Sequence, residues 1–199
     1  MSPEPTLGCI LAGGASRRMG TDKAALTLAG RPLVAHVAAR LAPQCADLVI
    51  AGDPGSATLR ATGLAVLADP LPGRLGPLAG VLAALRRAEG RYPFVVTTPV
   101  DTPFLPADLV RRLHAGRDGG AIVRAASGGR CHHATALWPA SLADDLERAL
   151  TERALRRVAD VQAEHRVAEA CWPAAPLDPF ENLNTPEDLA RAAARLAGR

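Results

Sequence analysis

Six short apolar runs set between longer helical patterns constrain this chain more than any other feature. The runs fall at residues 7–12, 47–51, 64–68, 93–98, 120–125 and 134–138, and helical spacing of apolar residues fills 32–42, 77–89, 106–115, 139–158 and 186–197. Runs of this length bounded by Gly, Pro or Asp read as buried strands. Strands alternating with helices imply an α/β fold with a mostly parallel central sheet covered by helices. Pro32 suits a first helical turn, and a break is expected near Thr151 inside 139–158. The start of the last helix is the clearest: Thr185 can cap, Pro186 fits the first position, and Glu187 and Asp188 meet the positive end of the dipole.

At 199 residues the chain is long enough for a substantial core and sits at the upper end of one ordinary domain. No internal repeat appears, and the stretches 70–77, 126–130 and 173–179 read as loops rather than linkers, so one domain over 1–199 is expected. The net charge of +3 is spread over scattered arginines, with only three Phe, two Trp and one Tyr. That pattern argues against a nucleic-acid-binding stripe with stacking aromatics. The four cysteines, Cys9, Cys45, Cys131 and Cys171, are far apart and form no C-x-x-C pair, which favours reduced structural thiols over zinc ligands. With no signal-type segment and no run of 18 apolar residues, a cytoplasmic protein away from membranes is the expectation.

The first run leads into Ile10-Leu11-Ala12-Gly13-Gly14-Ala15-Ser16-Arg17-Arg18-Met19-Gly20-Thr21-Asp22-Lys23, and Lys23 is the only lysine; the other 22 of the 23 Lys and Arg residues are arginine. Gly13 and Gly14 allow close approach of the backbone to an anion, while exposed N–H groups, Arg17, Arg18 and Lys23 supply donors. A compact, flexible ammonium suits a phosphate. The alternative is an ordinary surface lysine. A Walker A loop would need Gly-Lys-Ser/Thr where Gly20-Thr21-Asp22 stands, and the G-x-G-x-x-G dinucleotide fingerprint is absent.

Ligands of open parallel sheets sit beyond the carboxyl ends of the strands. The glycine loop, Asp69 after 64–68, and Pro99-Val100-Asp101-Thr102-Pro103 after 93–98 all fall at such ends and could share one cleft. Asp101, between two prolines, could present its carboxylate to a divalent cation; a turn or capping aspartate is the alternative.

Taken together, L-A-G-G-A-S-R-R-M-G-T-D-K at 11–23, L-A-D-P at 67–70, G-P-L-A-G at 76–80, P-V-D-T-P at 99–103 and N-L-N-T-P-E-D-L at 182–189 resemble the molybdenum cofactor guanylyltransferases. These are nucleotidyltransferases with a Rossmann-like three-layer α/β/α fold. The likeness runs from about residue 7 to the C-terminus. It implies a nucleotide-binding half over about 1–103 and an acceptor-binding half over about 104–199. It further implies nucleotide contacts from Leu11, Ala12, Gly13, Gly14, Lys23, Asp69, Gly80 and Asp101, Mg²⁺ on Asp101, Arg18 assisting Lys23 in catalysis, and Asn182 and Asn184 on the acceptor side. Two departures stand out: Ala51-Gly52-Asp53 replaces a segment where relatives often carry asparagine, and His133 replaces the proline of a His-Pro segment. His132 could line the acceptor pocket or be a satisfied histidine at a strand start.

The implied reaction is transfer of GMP from GTP to the phosphate of molybdopterin. An oxygen-sensitive acceptor is also compatible with a delivery protein. The rival readings are a CTP-dependent or sugar-phosphate nucleotidyltransferase and a catalytically silent nucleotide-binding protein. The retention of both Lys23 and Asp101 argues against the last.

Overall fold

The structure of the chain is a computed structural model that describes residues 4–13, 23–73, 75–117 and 122–197. In chain order its strands are β1 (Thr6–Leu11), β2 (Thr27–Leu28), β3 (Arg31–Pro32), β4 (Asp47–Ala51), β5 (Ala65–Leu67), β6 (Phe94–Pro99), β7 (Ile122–Ser127), β8 (Arg130–Pro139) and β9 (Val167–Trp172). The helices are α1 (Leu33–Leu41), α2 (Ala57–Arg60), α3 (Pro77–Ala88), α4 (Leu109–Ala115), α5 (Ala143–Thr151), α6 (Val158–Ala163) and α7 (Pro186–Ala197). Seven strands form one sheet in the order β5-β4-β1-β6-β8-β7-β9, and β2 and β3 pair as a separate hairpin. Only β8 in that sheet runs against its neighbours, so the expected mostly parallel α/β arrangement is what the chain adopts.

Alternation along the strands divides the core in two. On β1, Leu7, Cys9 and Leu11 face the layer of α3, α5 and α6, while Ile10 faces that of α1 and α4. The structure departs from the sequence expectation at several points and meets it at one helix break. Strand β9 is built of Val-Ala-Glu-Ala-Cys-Trp, whose alanines and glutamate carry little strand preference; pairing with β7 at the sheet edge holds it. The stretch 126–130 is mostly strand, turned tightly at Gly128 and Gly129, whose φ of +54° and +77° match a two-residue hairpin turn. The expected break in 139–158 is present, with α5 ending at Thr151 and α6 starting only at Val158. The β2–β3 pair has two residues per strand, too short for a pattern to show.

A third, smaller cluster joins elements remote in sequence. Leu28 of the hairpin, Leu33, Phe104, Leu183 and Ala192 of α7 are buried together, with Leu26 and Leu189 against them. Those residues flank Lys23, Asp101, Asn182 and Asn184. Leu183, which has no exposed surface, should cost about 2–5 kcal/mol on replacement by alanine, as buried leucines do. Urea unfolding checks this, and a loss below about 1 kcal/mol would mean that the cluster does not brace the fold.

Candidate active site

Strand β1 has β4 on one side and β6 on the other, so the chain's connections run in opposite directions from it. Such a switch point opens a crevice at the carboxyl ends of the strands. The strand exits are held in register beyond the sheet itself. Val100 N–H donates to the Leu11 carbonyl at 3.1 Å, Ala12 N–H to Ala51 at 2.8 Å, and Gly52 N–H to Leu67 at 2.9 Å. Every candidate loop therefore leaves the sheet from a fixed point.

Lys23 opens a short 3-10 turn, Lys23–Ala25, and its Nζ donates to Asp101 Oδ2 at 3.0 Å and also to Asn184 Oδ1. Asn182 Nδ2 donates to Asp101 Oδ1 at 2.8 Å, and Leu183 N–H donates to the Asp101 carbonyl at 2.9 Å. Asp101 itself is 7% exposed. Its two carboxylate oxygens thus take side chains from segments 78 and 81 positions away, which is neither a turn nor a helix cap. The turn before it is closed independently, by Thr102 Oγ1 donating to the Pro99 carbonyl at 2.8 Å.

The pair Asn182 and Asn184 is presented by the start of α7. Asp188 Oδ2 accepts from Asn184 N–H at 3.0 Å and Thr185 N–H at 2.9 Å, while Thr185 Oγ1 accepts from Asp188 N–H at 3.1 Å. This reciprocal cap fixes the residue whose side chain meets Lys23. The backbone donors of Asn184 and Thr185 hold the Asp188 carboxyl down to about 2. A carboxyl depressed on folding stabilises above its ordinary value of 3.8, and that contribution is lost as pH falls through about 2. Sequence reading had given Asp188 only a dipole role, although the Thr-x-x-Asp spacing carries the signal.

At the same carboxyl end of the sheet Leu11, Gly13, Ala51, Asp69, Gly76, Pro77 and Gly80 line a narrow slot. Gly80 also lets α3 lie close on the sheet: a methyl group there would sit 2.9 Å from Ala51 Cβ and 3.0 Å from Leu11 Cδ2. Gly76, with φ +70°, turns the chain into Pro77 in a conformation that side chains resist. Desolvation pushes the Asp69 carboxyl above its ordinary value. Gly14 and Arg18, expected in this site, lie outside the described residues. A wider groove bounded by Tyr92, Phe94 and Pro139 opens at the amino end of β6 and contains none of the candidate residues.

The two departures from the resemblance are also placed, the second of them being His133, whose Nδ1 lies 2.7 Å from Gln162 Oε1. Asp53 Oδ1 accepts from Gly55 N–H at 2.9 Å within its own loop. His132 is a satisfied histidine: Ser127 Oγ, which donates to Asp178 Oδ1 at 2.8 Å, lies 2.7 Å from His132 Nε2, and Phe180 stacks on the ring at 4.7 Å. Burial pushes its pKa down.

Comparison with known proteins agrees with this architecture. The family of the MobA-like NTP transferase domain matches residues 8–168. A molybdenum cofactor guanylyltransferase of Cereibacter sphaeroides is 50% identical over 187 residues, covering 93% of this chain and 94% of that protein. One from Bradyrhizobium sp. (strain ORS 278) is 46% identical over 191 residues, covering 93% and 90%. Among solved structures, molybdopterin-guanine dinucleotide biosynthesis protein A from Archaeoglobus fulgidus superposes with a TM-score of 0.76 at 25% identity, covering 97% of this chain and all of that one. With the parallel sheet, the switch-point crevice and the lysine–aspartate cluster in place, the chain belongs to the MobA-like NTP transferase family and is a nucleotidyltransferase.

Proposed function

We propose that the chain transfers GMP from GTP to the terminal phosphate of molybdopterin, forming the guanine dinucleotide cofactor and releasing pyrophosphate. The observation that carries this reading is the meeting of Lys23, Asp101, Asn182 and Asn184 at the end of the sheet that also holds the glycine-lined slot. Relatives of up to 50% identity that bear the guanylyltransferase name support the substrates.

An acceptor phosphate oxygen forms the new bond to the α-phosphorus, the bond to the bridging oxygen breaks, and pyrophosphate leaves with its electron pair. The attacking phosphate is ionised near neutral pH, so no strong base is needed. The work of the residues is orientation and charge neutralisation. Leu11, Ala12, Gly13 and Gly14 would contact the nucleotide, with Asp69 and Gly80 at the nucleoside end. Lys23 and Arg18 would offset charge on the leaving pyrophosphate, while Asn182 and Asn184 orient the acceptor. Asp101 would bind both nucleotide and Mg²⁺, its carboxylate being the hard-oxygen ligand that such a cation prefers. When bound, Mg²⁺ supplies neutralisation of the phosphate oxygens.

On this reading residues up to about 103 serve the nucleotide and those from about 104 the acceptor. Cytoplasmic residence fits four cysteines that are all free, and among the described residues no helix is long and apolar enough to cross a membrane. A molybdopterin-delivery protein completes the reading. Calorimetry with Mg²⁺ against GTP, CTP, ATP and UTP tests it. Selective GTP binding is expected; preference for CTP would transfer the chain to the cytidylyl branch, and no binding to any would leave a silent homologue.

A further inference from the structure

We infer that Lys23 is an exchangeable cation that fills the divalent-cation position at Asp101 until a nucleotide draws it away, so that the nucleotide itself opens the metal site. This rests on the nucleotidyl-transfer reading above.

Each oxygen of the Asp101 carboxylate accepts a hydrogen bond, Oδ2 from the Lys23 ammonium at 3.0 Å and Oδ1 from Asn182 Nδ2 at 2.8 Å. A cation that coordinates Oδ2 while the ammonium stays would share that oxygen with a second positive charge. The ammonium is the one that a second positive charge repels; the amide can stay. Lys23 and Asp101 together carry no net charge, so the pair offers a divalent ion little attraction. Nor does the surrounding chain make up the deficit: among the described residues no group of three or more His, Cys, Asp or Glu could hold a metal ion. A hydrated Mg²⁺ gives up water reluctantly and is usually held by one or two carboxylates together with substrate phosphates. The phosphates of a nucleotide bring the missing negative charge.

Lys23 is suited to the exchange. Its side chain is 29% exposed against 10% for Asp101, so the lysine is the freer partner. Asn184 Oδ1 gives its ammonium a second, uncharged hold. A polyphosphate outcompetes one carboxylate for the ammonium, and the freed Oδ2 becomes a ligand. Nucleotide and cation are then coupled, each strengthening the other by the same factor.

The probe is Mn²⁺, followed through the spin-resonance signal of the free ion, without nucleotide. Lys23→Met, which keeps the stem and removes the charge, should bind Mn²⁺ at least about fivefold more tightly than the wild type, within the usual range of such couplings. The gain should vanish in Lys23→Met/Asp101→Asn. A Lys23→Met protein that binds Mn²⁺ no more tightly than the wild type overturns the inference. The unaltered protein supplies a second measurement, because ¹⁵N-lysine labelling yields one side-chain signal. Saturating GTP without divalent ion should shift that signal; an unchanged signal with GTP bound overturns the inference as well. Binding of CTP in place of GTP would remove the guanylyl reading while leaving the nucleotide-free Mn²⁺ comparison intact.

Discussion

Lys23→Ala lowers turnover by about 10²-fold or more, as expected when a charged partner of the transition state is removed. The fold should survive, because the lysine side chain is partly exposed and Asp101 keeps its bonds to Asn182 and Leu183. Charge grows on the departing pyrophosphate as the reaction proceeds, so the loss falls more on kcat than on KM. Lys23→Arg should restore little, since a planar guanidinium cannot take the compact position between Asp101 Oδ2 and Asn184 Oδ1. Steady-state kinetics with a melting curve for each variant decides the matter. Near-normal turnover in a folded Lys23→Ala protein would remove this lysine from the catalytic set.

Asp101→Asn is expected to cost about 10²–10³-fold in turnover, and additional Mg²⁺ should not restore it. The substitution keeps the shape but breaks the hydrogen-bond arithmetic. The carboxylate accepts from two donors, Lys23 Nζ and Asn182 Nδ2. An amide has one accepting oxygen and would turn an N–H₂ group toward whichever donor remains. The cluster therefore loses a bond as well as a charge. Titrating turnover against Mg²⁺ separates the two roles: full recovery at high Mg²⁺ would show that Asp101 only raises metal affinity, and would exclude it from charge neutralisation in the transition state.

Much of the layout is legible in the chain because the features that build it are local. The parallel strands at 47–51 and 94–99 are dense apolar runs, and α7 begins with a cap, a proline and two acids within four positions. Asp101 stands out as a carboxylate between prolines at the end of such a strand. What is hidden is what depends on distant pairing. The edge strand Val167–Trp172 has weak preference of its own and exists because β7 offers it a ladder. The satellite cluster of Leu28, Leu183 and Ala192 joins segments more than 150 positions apart, and no periodicity announces it. Gly80 is legible as part of the G-P-L-A-G motif, but its close seat against Ala51 appears only in three dimensions.

The bond from Lys23 to Asn184 spans 161 positions, and this has a bearing on how the protein comes into being. During synthesis the strands β1 to β9 emerge first and can begin to pair, but the ammonium of Lys23 has no asparagine to meet until the segment leading into α7 leaves the ribosome. Chains cut short before residue 182 would retain all of the slot residues and lack both asparagines. They are therefore expected to hold nucleotide without passing it on, and to be degraded more readily, since Leu28 and Phe104 lose the leucine that covers them.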